Sequence, residues 1–448
     1  MISRAGALFL VVALISIVRL YPLGDWFGSH AGTAMSLGFV MLCGYLAGDL
    51  MSRVHLPKIT GYLFAGMIIG PYGGGVIPRD TVQDFLLINQ IALALIALTA
   101  GGEFHLASMG QRWKAILSIT FIQTGMIFIL GTLTAFLIVN QISLLAHWPA
   151  ASRWGMALVM GMIMVSQSPA TTIALITETR SSGVTTETAL GVAILLDVIV
   201  IILFTSVLMA VRILESGTAN IEWNQLAALF QELAFSITAG VLAGIVLSFY
   251  LKRIRVDPVL FVLAFCYLVS EGSKTVHLDS LLVCLTAGVW VTNASRQGEE
   301  LIKTIEQGSL AVYVIFFCVT GAALDLATLL RVWPVALLLV VLRTAYIVFS
   351  TYLGVLIARE TYPSPGTVWM VFVPQAGVSL GLVALLGKQG LPWAAPVQTL
   401  IIGCIALNQI AGPILMKYAL DQSGEAGKGR ERRRPKENLK PASLNTAA

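Results

Sequence analysis

Charged residues are scarce in this sequence. Only 11% of its 448 residues are Asp, Glu, Lys or Arg, and 57% are hydrophobic, whereas a soluble domain carries about 25% charged residues. The mean hydropathy of +0.85 leaves too little polar surface to face water on all sides. Apolar runs of about 18 residues or more recur, each able to cross a hydrocarbon core of ~30 Å. The composition excludes a soluble protein and predicts an all-α polytopic membrane protein, because helices satisfy their own backbone in lipid.

Signatures of enzymes and of structural metals are missing as well. We find no nucleophile–base set and no phosphate loop, since the glycines of GPYGGG (70–75) follow an apolar helix rather than a strand and predict a turn. The sequence therefore predicts no enzyme, no cofactor and no nucleic-acid partner. The cysteines are interpreted as small core residues, because they lie in apolar segments without metal-ligand spacing. These are Cys43, Cys266, Cys284, Cys318 and Cys404.

The apolar segments number fourteen, and an even count puts both termini on one side of the membrane. The first could instead be a signal peptide, but its small-residue stretch near 29–34 is a weak cleavage signal, so we expect a retained helix. Its removal would leave thirteen spans in the same orientation. The approximate bounds are 5–23, 32–52, 57–76, 84–106, 112–139, 153–178, 184–213, 225–251, 257–275, 278–294, 301–328, 333–358, 365–388 and 394–419.

Basic residues choose the orientation. With the N-terminus inside, twelve Lys and Arg fall in inner connections and seven in outer ones, and eight more follow from Lys417 onward. We therefore expect a multi-pass protein of the cell (inner) membrane with a cytoplasmic C-terminus. The final residues, 420–448, are polar and basic, which predicts a disordered tail near anionic lipid.

Two pairs of segments indicate an internal repeat. Residues 100–116 resemble 320–336, with Gly101 matching Gly321, and residues 61–70 resemble 283–292. The matched helices are seven spans apart, so the copies must run in opposite directions, as in the inverted repeats of secondary transporters. The predicted organisation is an extra N-terminal helix (1–31), a first six-helix repeat (32–213), a linker helix (214–256), a second repeat (257–419) and the tail (420–448).

Two spans in corresponding positions carry interruptions. Helix six contains MVSQSPATTIAL (164–175) and helix thirteen contains FVPQAGVSLGL (372–382). A proline removes a backbone donor and breaks a helix, which frees carbonyls at membrane depth. A kinked helix whose hydroxyls bond back to the backbone is the alternative, but two symmetric breaks favour an ion site. The polar and proline residues involved are Ser166, Gln167, Ser168, Pro169, Thr171, Thr172, Pro374 and Gln375.

Asp197 is the one polar residue in GVAILLDVIVIILF (191–204). A charge at the bilayer centre costs ~2.5–3.5 kcal/mol on insertion scales, so such a carboxylate pairs, binds a cation or takes up a proton. A group that does the last two in turn is an exchanger; a structural hydrogen bond or ion pair is the alternative. Arg343 lies in helix twelve and is a poor proton carrier. Its partner could be Glu103, Asp197 or a backbone group, and Glu103 could equally reach water.

Taken in order, several motifs resemble those of monovalent cation:proton antiporters of the Kef-like and sodium/proton exchanger kind, over about residues 32–419. The resemblance implies crossed broken helices, a core domain that moves against a dimerisation domain, and a homodimer. It also implies that Asp197 matches the essential aspartate and that Ser168 lies next to the ion. The motifs are LPKITGYLFAGMIIGPYGGG (56–75), SQSPATT (166–172), LGVAILLDVIVIILF (190–204), FFCVTGAALDL (316–326) and VPQAGVSLGL (373–382).

Departures from the family pattern refine this expectation. Leu196 precedes Asp197 where electrogenic members carry a second Asp and many electroneutral ones carry Asn, and helix eleven lacks the Lys often found in electrogenic members. An Arg like Arg343 is typical of electroneutral relatives. Exchangers of the Asn-Asp type often have Asp before the helix-six Pro, where this chain has Ser168. With a single titrating carboxylate, each cycle is expected to move no net charge.

The resulting hypothesis is that the protein exchanges Na⁺ or K⁺ for H⁺ by alternating access, with Asp197 binding either the cation or the proton. A potassium efflux carrier or channel-like protein controlled by partners, and an anion or organic-solute transporter on the same scaffold, are the alternatives. The residues expected to bind the cation or proton are Asp197, Ser168, Thr171, Thr172 and Gln167. The supporting residues are expected to be Arg343, Pro169, Pro374, Gln375 and Glu103.

Overall fold

The structure is a computed structural model that describes most of the chain between residues 30 and 428. The predicted first helix (5–23) and most of the C-terminal tail lie outside the described residues. The described ranges are 30–109, 112–216, 223–254, 256–276, 278–295, 297–324, 326–375, 378–387 and 389–428.

Helices account for almost all of this structure, and no strand occurs in the described ranges. Fourteen of the helices are labelled here, and short helical turns lie at Arg79–Asp84, Leu106–Met109 and Ser143–Ala146. The labelled helices are α1 (His30–Arg53), α2 (Lys58–Ile69), α3 (Leu86–Glu103), α4 (Trp113–Gln141), α5 (Ala150–Val165), α6 (Pro169–Thr179), α7 (Val184–Ser216), α8 (Trp223–Arg253), α9 (Pro258–Thr275), α10 (Ser280–Asn293), α11 (Gly298–Ala322), α12 (Leu326–Ala358), α13 (Val378–Gly387) and α14 (Ala394–Gln422).

Each predicted span from 32–52 onward corresponds to helical structure. Within the described residues, eight helical segments are long and apolar enough to cross a membrane, counting α5 and α6 as one, and α2, α10 and most of α3 are shorter apolar helices. The prediction of an all-helical, multi-pass membrane protein is therefore confirmed.

Two predicted spans differ in detail from the observed elements. The segment 57–76 stops being helical at Ile69, because the glycines that follow form turns in which the Gly74 N–H donates to the Ile68 carbonyl at 2.6 Å. Gly75 adopts a φ of 61°, a left-handed conformation that glycine tolerates best. The segment 365–388 is divided into a 3₁₀ helix, Val368–Phe372, a break, and α13.

Close helix contacts occur at the glycines that relate the two sequence repeats. A Cβ on Gly66 of α2 would clash with the backbone of Cys318 and Ala322 in α11, and one on Gly321 of α11 would clash with Leu63 of α2. The corresponding pair behaves in the same way: Gly288 of α10 faces the backbone of α3, and Gly101 of α3 faces that of α10. This reciprocal packing of α2 on α11 and of α10 on α3 is the arrangement that inverted repeats predict.

The buried apolar residues form two clusters. The smaller cluster joins α3, α8, α9, α10 and α11, with Leu98, Leu247, Cys266 and Ala287 among its buried members. The larger cluster contains the remaining helices, including both broken spans and the helix that carries Asp197, together with further residues of α3 and α11 such as Ile96 and Phe317. A cavity lies where α3, α8 and α10 face α6 and α7.

Candidate functional site

The first break separates α5 from α6 at residues 166–168. Pro169 is the first residue of α6, where its missing N–H costs nothing. Ser168 is the N-cap: its Oγ accepts a hydrogen bond from the Thr171 amide at 3.2 Å and donates to Thr171 Oγ1 at 2.9 Å. The sequence S-P-x-T therefore ends one helix and starts another in the interior of the protein, where all of these residues except Pro169 are buried.

The second break, at residues 373–375, touches the first. The Ser168 amide donates to the Pro374 carbonyl at 2.9 Å. Gln375 donates to the Ile163 carbonyl at 2.9 Å and to Ser166 Oγ at 3.0 Å. Each break thus satisfies some of the backbone groups that the other frees, as irregular backbone at membrane depth requires.

Arg343 of α12 joins the two breaks and is only 1% exposed. Its Nε donates to the Met164 carbonyl at 2.8 Å, its Nη1 to the Val373 carbonyl at 2.9 Å and its Nη2 to the Ser166 carbonyl at 2.9 Å. The sequence left the partner of Arg343 open, and the structure shows that this partner is a set of backbone carbonyls. Met164 lies in the last turn of α5, where the helix dipole favours a cation.

Asp197 lies near the middle of α7 and lines a small cavity of about 60 Å³. The cavity also takes in Ser168 and Pro169, so the amide end of α6, which carries partial positive charge, adjoins the same space as the carboxylate. No described residue donates a hydrogen bond to Asp197. The rest of the lining is almost entirely apolar, with Ile96, Ala100, Ile173, Ile194, Val198 and Leu285 among its residues.

The other residues expected at the site lie outside the cavity lining. Gln167 Nε2 donates to Gln123 Oε1 at 2.9 Å, and Gln123 Nε2 donates to Thr351 Oγ1 at 2.8 Å, so Gln167 tethers the break to α4 and α12. Thr171 acts on the lining through Ser168, and Thr172 is buried behind it with its amide bonded to the Ser168 carbonyl at 3.1 Å.

Pro374, Gln375 and Glu103 are likewise not among the residues that line the Asp197 cavity. Pro374 and Gln375 support the contact between the two breaks, and Gln375 Oε1 also accepts a hydrogen bond from Asn408 at 2.8 Å. Glu103 is the last residue of α3, beyond the part of that helix that lines the cavity.

Sequence reasoning missed a second acidic residue in the cavity, Asp279. It is the N-cap of α10, and its Oδ1 accepts hydrogen bonds from the amides of Leu281 at 2.8 Å and Leu282 at 3.0 Å. An Asp directly before an apolar helix was the available signal for a cap, but only the packing of α10 brings it to the cavity of Asp197. No basic side chain is among the described residues of the lining.

Two helices that break inside a membrane-spanning bundle and meet beside a cavity lined by a mid-span carboxylate define the class of secondary transporters. Residues 37–418 match the family model described as sodium/hydrogen exchanger, transmembrane. The chain therefore belongs to the sodium/hydrogen exchanger family, a family of transporters rather than enzymes, and is a cation:proton antiporter. The resemblance seen in the sequence motifs is confirmed.

Individual relatives are distant in sequence. The iron transporter MagA of Paramagnetospirillum magneticum is 24% identical over 84% of this chain and 82% of its own length. The probable Na⁺/H⁺ antiporter GerT of Bacillus cereus is 26% identical over 63% of this chain and 71% of its own. The electron-microscopy structure of the sodium proton antiporter MjNhaP1 from Methanocaldococcus jannaschii superposes with a TM-score of 0.67 at 19% identity, covering 91% of this chain and all of that one. This likeness shows the antiporter fold.

Proposed function

We propose that the protein exchanges one Na⁺ or K⁺ for one H⁺ and that Asp197 binds either ion in turn. The observation that carries this proposal is the Asp197 carboxylate, which has no hydrogen-bond donor among the described residues and lines an apolar cavity beside the N-terminus of α6. A carboxylate in such surroundings must be neutralised before it can move through the membrane. A proton and a cation can each do this, so they compete for the same group.

The residues around Asp197 suit a weakly bound, partly dehydrated cation. Ser168 is a further oxygen-bearing residue of the lining, while the carbonyls of Met164, Ser166 and Val373 are occupied by Arg343. We therefore assign cation contact to Asp197 and Ser168 and a structural role to Arg343. Thr171 contributes by holding the Ser168 hydroxyl, and Gln167 by tethering the break.

The cavity lies between α6 and α7 on one side and α3, α8 and α10 on the other. In the proposed cycle α6 and α7 carry the loaded Asp197 past α3, α8 and α10, and each ligand crosses in one direction. Because Asp197 is the sole acid on the cavity-lining face of α7, one cation replaces one proton and no net charge moves. We further propose that the protein is a homodimer in the cell (inner) membrane with its C-terminus in the cytoplasm.

Proton flux in proteoliposomes tests the assignment. Vesicles with an internal pH dye receive pulses of Na⁺, K⁺, Li⁺ or choline on the outside, with wild type, Asp197→Asn and Asp197→Glu compared. Glu271→Gln is the matched control, since Glu271 is an exposed acid that pairs with Lys274 at 2.7 Å. We expect Na⁺- or K⁺-driven proton release in wild type and Glu271→Gln, and none in Asp197→Asn.

Three results would contradict the proposal. Exchange that continues at the wild-type rate in Asp197→Asn would remove Asp197 from the mechanism. Potassium flux without proton movement would instead favour a channel-like carrier, and solute flux independent of Na⁺ and K⁺ would favour an anion or organic-solute transporter. The comparisons with known proteins favour neither alternative.

A further inference from the structure

Asp279 has no part in the exchange step proposed above, yet it lines the same cavity as Asp197. Its backbone N–H donates to Ser236 Oγ at 3.0 Å, and both helix amides that it caps bond to Oδ1. Its other carboxylate oxygen, Oδ2, accepts no hydrogen bond from a described residue. The cavity therefore contains two acids and, in the described lining, no basic side chain to offset them.

The two acids belong to different packing units. Asp197 is on α7, whose buried neighbours Leu196 and Val200 lie in the larger apolar cluster. Asp279 starts α10, whose buried residues Cys284 and Ala287 lie in the smaller one. A movement of one unit against the other, which the proposed exchange requires, changes the separation between the two carboxylates.

The two carboxylates lie at different depths along the helices that carry them. Asp197 is the fourteenth residue of the 33-residue α7, near the middle of the span. The lining residues of α10 come from its first two turns, Leu281, Leu282 and Leu285. Asp279 therefore lies between the ion site and the membrane face at which α10 begins, and no counterpart from the last turns of α10 lines the cavity.

We propose that Asp279 is a specificity-determining residue that concentrates monovalent cations at the Asp197 site. It does so only from the membrane face at which α10 begins, which we call the α10-start face. The inference rests on the exchange function proposed above. Its carboxylate adds to the negative potential of a low-dielectric cavity and so favours cation occupancy at that face. When the α6–α7 unit moves, Asp279 stays with α10, and the cation leaves a site whose negative field has weakened. The residue thereby makes uptake and release unequal at the two faces.

Sided kinetics of Asp279→Asn and Asp279→Ser test this inference. Both substitutions remove the charge but keep a side chain that caps helices well, so α10 is expected to persist. Cation-driven proton flux is measured in right-side-out and inverted membrane vesicles. At the α10-start face we expect the KM for the transported cation to rise roughly three- to tenfold, from the loss of one nearby charge, with the maximal rate maintained. At the other face the KM should stay at the wild-type value.

Salt dependence separates an electrostatic effect from a structural one. Choline chloride shortens the Debye length to about 10 Å at 0.1 M, so the KM difference between wild type and Asp279→Asn should narrow as it is added. Glu271 lies near the end of α9 and outside the cavity. The Glu271→Gln substitution, which removes this acid, should leave the KM at both faces unchanged.

Three outcomes would overturn the inference: an unchanged KM in both Asp279 variants, an equal change at both faces, or a fall in maximal rate with constant KM. Failure of the exchange function itself is distinguishable, because it appears as cation-independent proton flux in the wild type or as retained exchange in Asp197→Asn.

Discussion

The two charged residues nearest the helix breaks, Arg343 and Asp197, lie at opposite kinds of helix end. Arg343 binds carbonyls from both interrupted spans, so it neutralises the negative ends that the breaks create. Asp197 faces the cavity beside the opposite, amide end of α6, whereas the adjacent Leu196 is 1% exposed and packs in the larger core cluster. Leu196 therefore serves packing, and an acid at its position would be buried away from the cavity.

At the residue scale, Arg343→Met should destabilise the protein and abolish exchange. Three carbonyls would lose a charged donor, and a hydrogen bond to a charged group contributes roughly 1.5–3 kcal/mol. Arg343→Lys should retain part of the stability, because one ammonium keeps the charge but cannot match the spread of a guanidinium. Thermal unfolding in detergent, followed by tryptophan fluorescence, measures the unfolding midpoints. We expect the midpoint to be highest for wild type, lower for Arg343→Lys and lowest for Arg343→Met. An unfolding midpoint for Arg343→Met equal to that of wild type would contradict this role.

At the element scale, the helix that carries Asp197 is capped from the far end of the chain. Glu425, beyond α14, is 2% exposed. Its carboxylate accepts hydrogen bonds from the amides of Thr185 at 2.7 Å and Thr186 at 2.8 Å. These amides belong to the first turn of α7, where a negative charge is favoured by the helix dipole. The segment after α14 thereby holds the start of α7 in place.

Removing this cap should loosen the start of α7. Glu425→Ala leaves buried donors unpaired, at a cost of roughly 1–3 kcal/mol in the free energy of unfolding. Hydrogen exchange should accelerate in the first turn of α7 and the unfolding midpoint should fall. Asp421→Asn is the matched control, since Asp421 is an acid of the same segment that is exposed. Unaltered exchange protection in Glu425→Ala would mean that α7 needs no external cap.

A second prediction at this scale concerns the glycine contacts between helices. Gly101→Ala should push α3 away from α10, because its Cβ would lie 2.7 Å from the Val289 amide nitrogen. We expect a lower melting temperature and slower cation–proton exchange. The related variant Gly66→Ala should behave in the same way. Gly125→Ala on α4 meets nothing within 4 Å and, as a better helix former by ~1 kcal/mol, should be neutral or stabilising. Equal melting temperatures for the α3 and α4 variants would sink this account of the packing.

At the scale of the whole molecule, the proposed exchange at a single carboxylate, Asp197, predicts electroneutral transport. With Na⁺ as the transported ion, a membrane potential imposed by K⁺ and valinomycin should leave the exchange rate unchanged. Solid-supported membrane recordings should detect no sustained current on a cation jump. Asp197→Asn provides the background trace. A current that scales with the exchange rate, or a rate that follows the potential, would show that each cycle moves net charge.

Much of the architecture followed from local patterns. Apolar length predicted the spans, prolines flanked by hydroxyl and amide residues predicted both interruptions, and a lone carboxylate predicted the centre of the site. Exact helix ends were less accessible: the span proposed at 57–76 stops at Ile69, since a run of glycines permits a turn that a hydropathy pattern does not register.

The composition of the site depended on packing that no local pattern contains. Gln167 stands beside Ser168 in the chain, yet its side chain bonds Gln123 of α4 while Ser168 lines the cavity. In an extended break, neighbouring side chains point to different sides. Asp279 was absent from the expected site because it lies 82 positions after Asp197 (279 minus 197), and the intervening sequence carries no signal that the two are close in space.

The sequence by itself determined that this is a helical membrane protein that breaks two of its helices and carries a carboxylate, Asp197, in the middle of a span. Those properties come from the cost of placing charge and unpaired backbone in hydrocarbon, which each segment bears individually. Only the tertiary structure decided that Arg343 binds carbonyls rather than an acid, that Glu425 caps α7, and that Asp279 joins Asp197 at one cavity. Each of these depends on distances between remote segments, and such distances are set by how the helices pack together.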